Sequence, residues 1–166
     1  MAKILIVDDE KSIRAALRDI LEYEDYEVEE AKDGEEGLSM ILKNHYDVAL
    51  CDIKMPKLEG LEVLLKSGEA GRPTQFIMIS AYGNIENAVE ATKRGAYDFI
   101  TKPPDLNRLL VSVRNAIEKS KLVAETVDLK KRILNIGFEI EISQEAKEFL
   151  VDKGYDPAFG ARPLHR

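Results

Sequence analysis

From Lys3 to about Lys119, short apolar runs alternate with stretches in which apolar residues recur every three or four positions. That alternation predicts strands buried on both faces of a parallel sheet and covered by amphipathic helices. The expected strands are Lys3–Val7, Tyr26–Ala31, Val48–Cys51, Gln75–Ile79 and Asp98–Ile100. Between them, helices are expected to turn inward Ile13, Leu17, Ile20 and Leu21, then Leu38, Ile41 and Leu42, then Leu61, Leu64 and Leu65, then Val89 with Ala88 and Thr92. Five strand–helix units define an α/β, doubly wound parallel sheet. Asp33-Gly34 and Gly95 supply turn and helix-end signals. The third helix is expected to stop early or fray, because Ser67-Gly68-Glu69-Ala70-Gly71 carries two glycines and little to bury.

A helical pattern continues from Asp105 through Leu109, Val113, Ala116 and Ile117, then changes character. Leu122, Thr126, Leu129, Ile133 and Ile136 fall at alternating spacings of four and three, as a coiled-coil seam would. Five positions span fewer than three heptads, so a dimer-forming helix and a plain surface helix are both open readings. After Gly137, Phe138–Ile142 alternates with the period of a strand, and Ser143 can cap a helix Gln144–Asp152 that Gly154 ends.

The 166 residues, 45% hydrophobic and 33% charged, suit one full domain with an appendage and exclude collagen-like, low-complexity or wholly disordered chains. No apolar run approaches a membrane span and no secretory leader is evident, so a soluble, cytoplasmic protein is expected. Cys51, the single cysteine, lies in an apolar run as a buried inert thiol would. Residues 1–120 hold 16 basic and 23 acidic side chains, against 8 of each in 121–166. That balance argues against a phosphate-neutralising nucleic-acid face on the first part.

In open doubly wound sheets, ligands bind beyond the carboxyl ends of the strands. There the first strand presents Asp8-Asp9, the third Asp52, the fourth Ser80 and the fifth Thr101-Lys102-Pro103. Converging carboxylates repel and raise one another's pKa, so the pattern fits a hard divalent cation, Mg2+ being suitable. The plainer reading, in which Asp8 and Asp9 cap the first helix, stands beside it.

Through Ile6-Val7-Asp8-Asp9-Glu10, Asp52-Ile53-Lys54-Met55-Pro56, Gly60, Ser80-Ala81 and Lys102-Pro103, residues 3–120 resemble the receiver domain of two-component response regulators. Ser80–Glu86 and Lys93–Phe99 look most like the NtrC and NtrX activators. The resemblance implies a flavodoxin-like fold with strand order 2-1-3-4-5. It also implies a sensor histidine kinase as partner, Asp52 as phosphoacceptor and Mg2+ held by Asp8, Asp9, Asp52 and the Lys54 carbonyl. Lys102 would pair with Asp52 and then with the phosphoryl group, and Ser80 would hydrogen-bond that group. Phe99 would be an aromatic switch remodelling the surface of the fourth helix and fifth strand, although a permanently buried core Phe fits the same position. Lys102-Pro103 is expected to be cis. The chain would catalyse its own phosphorylation and dephosphorylation without being a conventional enzyme.

Two rival readings carry less. A haloacid-dehalogenase-type phosphatase needs a second Asp two residues after its nucleophile, where this chain has Lys54. A non-phosphorylated interaction module would not need a competent residue at every phosphotransfer position. His45 and His165 lack metal-ligand spacing. There is no helix-turn-helix signature and no Walker phosphate loop, so neither DNA binding nor ATP hydrolysis is expected. From about Leu129 onward, and above all in Gly154–Leu164, the tail resembles the C-terminal small subdomain of Clp-type AAA+ unfoldases, in which Arg162 matches a nucleotide-sensing arginine. The expected organisation is a receiver in 1–120, a helical linker with a candidate coiled-coil seam in 121–136, and a partial Clp-like subdomain in 137–166. Such a combination points to a fusion with a junction near Lys130–Ile136.

Overall fold

The computed structural model describes residues 1–81 and 83–135. The order of elements is β1 (Lys3–Val7), α1 (Lys11–Tyr23), β2 (Glu27–Ala31), α2 (Gly34–Lys43), β3 (Val48–Asp52), α3 (Gly60–Glu69), β4 (Gln75–Ser80), α4 (Ile85–Lys93), β5 (Asp98–Thr101) and α5 (Leu106–Asn135). All pairings are parallel and the strands lie in the order β2-β1-β3-β4-β5. The strand and helix expected in 138–152 lie outside the described residues, as does Arg162.

Alternate residues of each strand serve opposite faces, and the core divides accordingly. Ile4 and Ile6 of β1 join Leu50, Ile77 and Ile79 under Leu17 and Leu21 of α1 and Leu109, Val113 and Ala116 of α5. Leu5 and Val7 join Ala49, Cys51, Phe76 and Met78 under Ile41 of α2, Val63 and Leu64 of α3 and Ala91 of α4. Central strands buried on both sides explain why β1, β3 and β4 read as continuous apolar runs. β2 sits at the edge, where it can carry Glu27, Glu29 and Glu30; Lys3 Nζ reaches Glu29 at 2.8 Å.

Three helical expectations need correction. α3 does not stop early but runs through Gly68 to Glu69, because Ser67 is buried and the last turn closes properly. The Arg72 N–H donates to the Ser67 carbonyl at 3.1 Å and the Gly71 N–H to the Gly68 carbonyl at 3.0 Å. This is the paired closure that a left-handed residue permits, and Gly71 has φ +71°. The inward stripe of α3 is Gly60, Val63, Leu64 and Ser67, while Leu65 faces solvent, as does Leu42 on α2. On α4 only Ala91 is buried, and Val89 and Thr92 are exposed.

The chain divides into two compact units, Met1–Ala124 and Glu125–Arg166. Along the latter half of α5, Leu122, Val127, Leu129 and Ile133 are exposed. No described helix is long and apolar enough to cross a membrane.

Candidate functional site

Strands of a parallel sheet share one direction, so the carboxyl ends of β1, β3, β4 and β5 assemble at one edge. Asp8 immediately follows β1, Asp52 ends β3, Ser80 ends β4 and Lys102 immediately follows β5. Asp8 and Asp52 are 2% and 7% exposed, whereas Asp9 is open to solvent. One carboxylate oxygen from each of Asp8, Asp9 and Asp52 lies within 4.8 Å of the others. Lys102 Nζ donates to Asp8 Oδ2 at 2.8 Å and to Asp52 Oδ2 at 3.1 Å. It also lies 4.0 Å from Glu10 Oε1.

Burial raises the Asp52 pKa above its ordinary value, as do the charges of Asp8 and Asp9, while the bond from Lys102 opposes the rise. Burial by itself would lower Lys102, but its bonds to Asp8 and Asp52 outweigh that and leave it raised. Burial also pushes the Cys51 thiol up, reinforced by Asp52 and Asp8, which keeps it protonated and inert.

Three aspartate carboxyl groups face one ammonium, so the site holds more acidic than basic groups. The all-oxygen donor set is the kind that hard cations take. The residues therefore fit a metal, and among the described residues this is the acidic grouping close enough to hold one.

The local folding that sets these positions is specific. The Asp8 N–H donates to the Ala31 carbonyl at 3.2 Å, continuing the β1–β2 ladder by one residue. The Glu10 N–H donates to Asp8 Oδ1 at 2.9 Å, so Asp8 organises the entry into α1, although Glu10 occupies the N-cap and its side chain makes no cap bond. After β3, the Ile53 N–H donates to the Ile79 carbonyl at 3.3 Å, and the Gly60 N–H returns to the Ile53 carbonyl at 2.8 Å. A Cβ on Gly60 would overlap the Asp52 carbonyl oxygen, so the start of α3 lies directly on the backbone of Asp52. The Lys102 N–H donates to the Ser80 carbonyl at 2.9 Å, tying β5 to β4, and the Lys102–Pro103 bond is cis.

The structure thus brings together Asp8, Asp9, Asp52 and Lys102, with Ser80 buried one strand away. Lys54 lies two residues past Asp52 with its side chain exposed. Phe99 is half-buried against the core under α2, α3 and α4, and the Arg108 guanidinium donates to its carbonyl at 2.9 Å. His45 is exposed beside Asp47.

Two residues near the site carry no signal in spacing alone. Glu10 approaches Lys102, and Arg14 Nη1 donates to the Asp8 carbonyl at 2.7 Å. A side-chain bond to a backbone oxygen leaves no pattern for sequence reading to find.

Residues 4–114 match the family described as response regulator receiver domain. The transcriptional regulatory protein DltR of Streptococcus agalactiae is 40% identical over 156 residues, 90% of this chain and 70% of that protein. The nitrogen assimilation regulatory protein NtrX of Azorhizobium caulinodans is 41% identical over 130 residues, 77% of this chain but 29% of that protein. A CheY-like receiver domain protein from Methanospirillum hungatei JF-1 superposes with a TM-score of 0.69 at 36% identity, over 73% of this chain and 97% of that one. The chain belongs to the response regulator receiver family of two-component systems. Residues 118–166 match the C-terminal, D2-small domain of ClpB protein. That match begins inside α5, upstream of Leu129 and of the junction suggested by the motifs.

Proposed function

We propose that the protein is a phosphoacceptor, taking a phosphoryl group onto Asp52 from the phosphohistidine of a sensor histidine kinase. The observation that carries this reading is the buried Asp52 carboxylate, grouped with Asp8 and Asp9 and salt-bridged to Lys102. An ionised Asp52 oxygen attacks phosphorus; the P–N bond breaks, the imidazole leaves and takes up a proton, and the new P–O bond gives an acyl phosphate. Asp8, Asp9, Asp52 and the Lys54 carbonyl are the oxygen ligands offered to Mg2+. Bound there, the ion would supply charge neutralisation to the phosphoryl oxygens. Lys102 holds Asp52 before transfer and the phosphoryl group after it, a task suited to a compact point charge on a flexible stem. The Ser80 hydroxyl donates to a phosphoryl oxygen. Inward rotation of Phe99, which is still half-buried, would remodel the Ala88–Phe99 surface. Attack by water on the acyl phosphate resets the site.

We read the receiver as 1–120, the linker as 121–136 and the Clp-like portion as 137–166. The exposed Leu122, Leu129 and Ile133 support a homodimer contact along the linker helix.

Intact mass after incubation with acetyl phosphate and Mg2+ tests the main reading. One phosphoryl adduct is expected, absent in EDTA and absent in Asp52→Asn. An equal adduct in Asp52→Asn, mapped to another residue, would overturn the assignment.

A further inference from the structure

Asp8 is held at four points. Its N–H is bonded to Ala31, its Oδ1 accepts from the Glu10 N–H and its Oδ2 accepts from Lys102. Its carbonyl oxygen is held by Arg14, at 2.7 Å. Arg14 is itself fixed: its Nε donates to Glu30 Oε1 at 3.2 Å and its side chain is 14% exposed. Glu30 lies on β2 opposite Ile6, two residues before Asp8, so α1, β1 and β2 meet in this bond network. The second Glu30 oxygen accepts from Arg18 Nε at 2.6 Å. The other partner of Arg18 is Glu22, through Nη1 at 2.9 Å.

A guanidinium this close to an acidic site would oppose cation binding if its charge were unbalanced, and Glu30 balances it. We propose that Arg14 and Glu30 are positioning residues that fix the Asp8 main chain and so set how tightly the Asp8–Asp9–Asp52 group takes a divalent cation. The inference rests on the metal reading above and extends it to residues that touch neither metal nor phosphoryl group. Arg14 orients the ligand-bearing residue through its carbonyl, leaving both carboxylate oxygens for Lys102, the Glu10 N–H and the metal. Glu30 sets the guanidinium angle and removes its field. Partners of this outer kind ordinarily change metal affinity by about 10- to 100-fold when lost.

The test is calorimetric Mg2+ titration of the full chain in parallel with acetyl phosphate kinetics across a Mg2+ series. Arg14→Gln and Glu30→Gln should each weaken Mg2+ about tenfold. The phosphorylation rate at saturating Mg2+ should stay near that of the parent, so that the loss falls on the Mg2+ dependence. Arg18→Gln also removes an ion pair to Glu30, and it should leave Mg2+ affinity unchanged. Equal weakening in Arg18→Gln, or parental affinity in Arg14→Gln with its fold retained by circular dichroism, would overturn the positioning role. Asp8→Asn separates the two levels. If it and the parent titrate identically, the metal reading itself fails and the positioning role with it.

Discussion

Replacing Gly60 by Ala should damage both stability and phosphorylation through a single steric contact. The added methyl would overlap the Asp52 carbonyl oxygen and press on the Asp52 carbonyl carbon at 2.9 Å and the Ile53 Cα at 3.0 Å. All three are backbone atoms, so no side chain can swing aside. The Gly60 N–H is bonded to the Ile53 carbonyl at 2.8 Å, which prevents α3 from simply lifting away. Overpacking typically costs 1–3 kcal/mol, and a clash against main chain, which cannot swing aside, belongs at the upper end, about 3 kcal/mol. For a unit of this size that corresponds to a fall in Tm of roughly 10 °C. The Asp52 main chain must move to relieve the overlap, and displacing a reacting group by about 1 Å can cost on the order of 100-fold in rate. Differential scanning fluorimetry, with phosphorylation by acetyl phosphate measured well below the variant's Tm, reads both effects. Gly68→Ala on the same helix is the internal control. A Cβ there meets nothing within 4 Å, so the variant should gain stability, by up to about 1 kcal/mol. A Gly60→Ala variant melting with the parent would refute the contact. Lost stability with full phosphorylation would break the link between α3 packing and the site.

Three further outcomes follow from the electrostatics and from α5. Asp52 has a raised pKa in the folded state, so its contribution to stability is present below the unfolded value of 3.8 and lost as pH rises through the folded one. In EDTA at pH 7, Asp52→Asn should therefore melt above the parent, with the gap closing in acid; an equal or lower Tm at pH 7 contradicts the burial argument. Asp33 caps α2, accepting from the Glu36 N–H at 2.8 Å, and that bond holds its pKa below the ordinary 3.8 despite burial, with Lys57 assisting. Asp33→Ala should cost about 1 kcal/mol at pH 7, a contribution lost as pH falls through the folded-state pKa of Asp33, measurable from urea midpoints; a pH-independent difference would exclude the charge as its source. Leu129→Lys with Ile133→Lys should yield a monomer by sedimentation if the linker helix pairs, and a parent that is monomeric at every concentration refutes the seam.

β1, β3 and β4 were legible because double-sided burial writes itself as unbroken apolar runs, and strand boundaries differ from expectation by single residues such as Asp52, Ser80 and Thr101. The site was legible because residues at strand ends converge through topology alone. The order of the strands was not, since periodicity does not say which strands are neighbours, and it came from the family resemblance. The inward face of α3 was misread because its stripe of Gly60, Val63, Leu64 and Ser67 begins and ends on residues that no hydropathy pattern marks. Gly60 stood out only as part of a motif, and its reason lies in how closely α3 approaches Asp52. α4 escaped for the opposite cause: its apolar Ile85 and Val89 face solvent, and a small residue, Ala91, makes the contact.

The salt bridges that complete the site join Lys102 to Asp52 and Asp8 across 50 and 94 positions of chain. During synthesis the Asp8 carboxylate is made first and waits for its cation until 94 residues later. At about 5–20 residues per second that interval is roughly 5–20 s. An unfinished chain has Asp52 but no β5 and no ammonium to organise it. On the phosphoacceptor reading proposed above, competence for transfer would be acquired only when the last strand joins the sheet and brings Lys102 to Asp52.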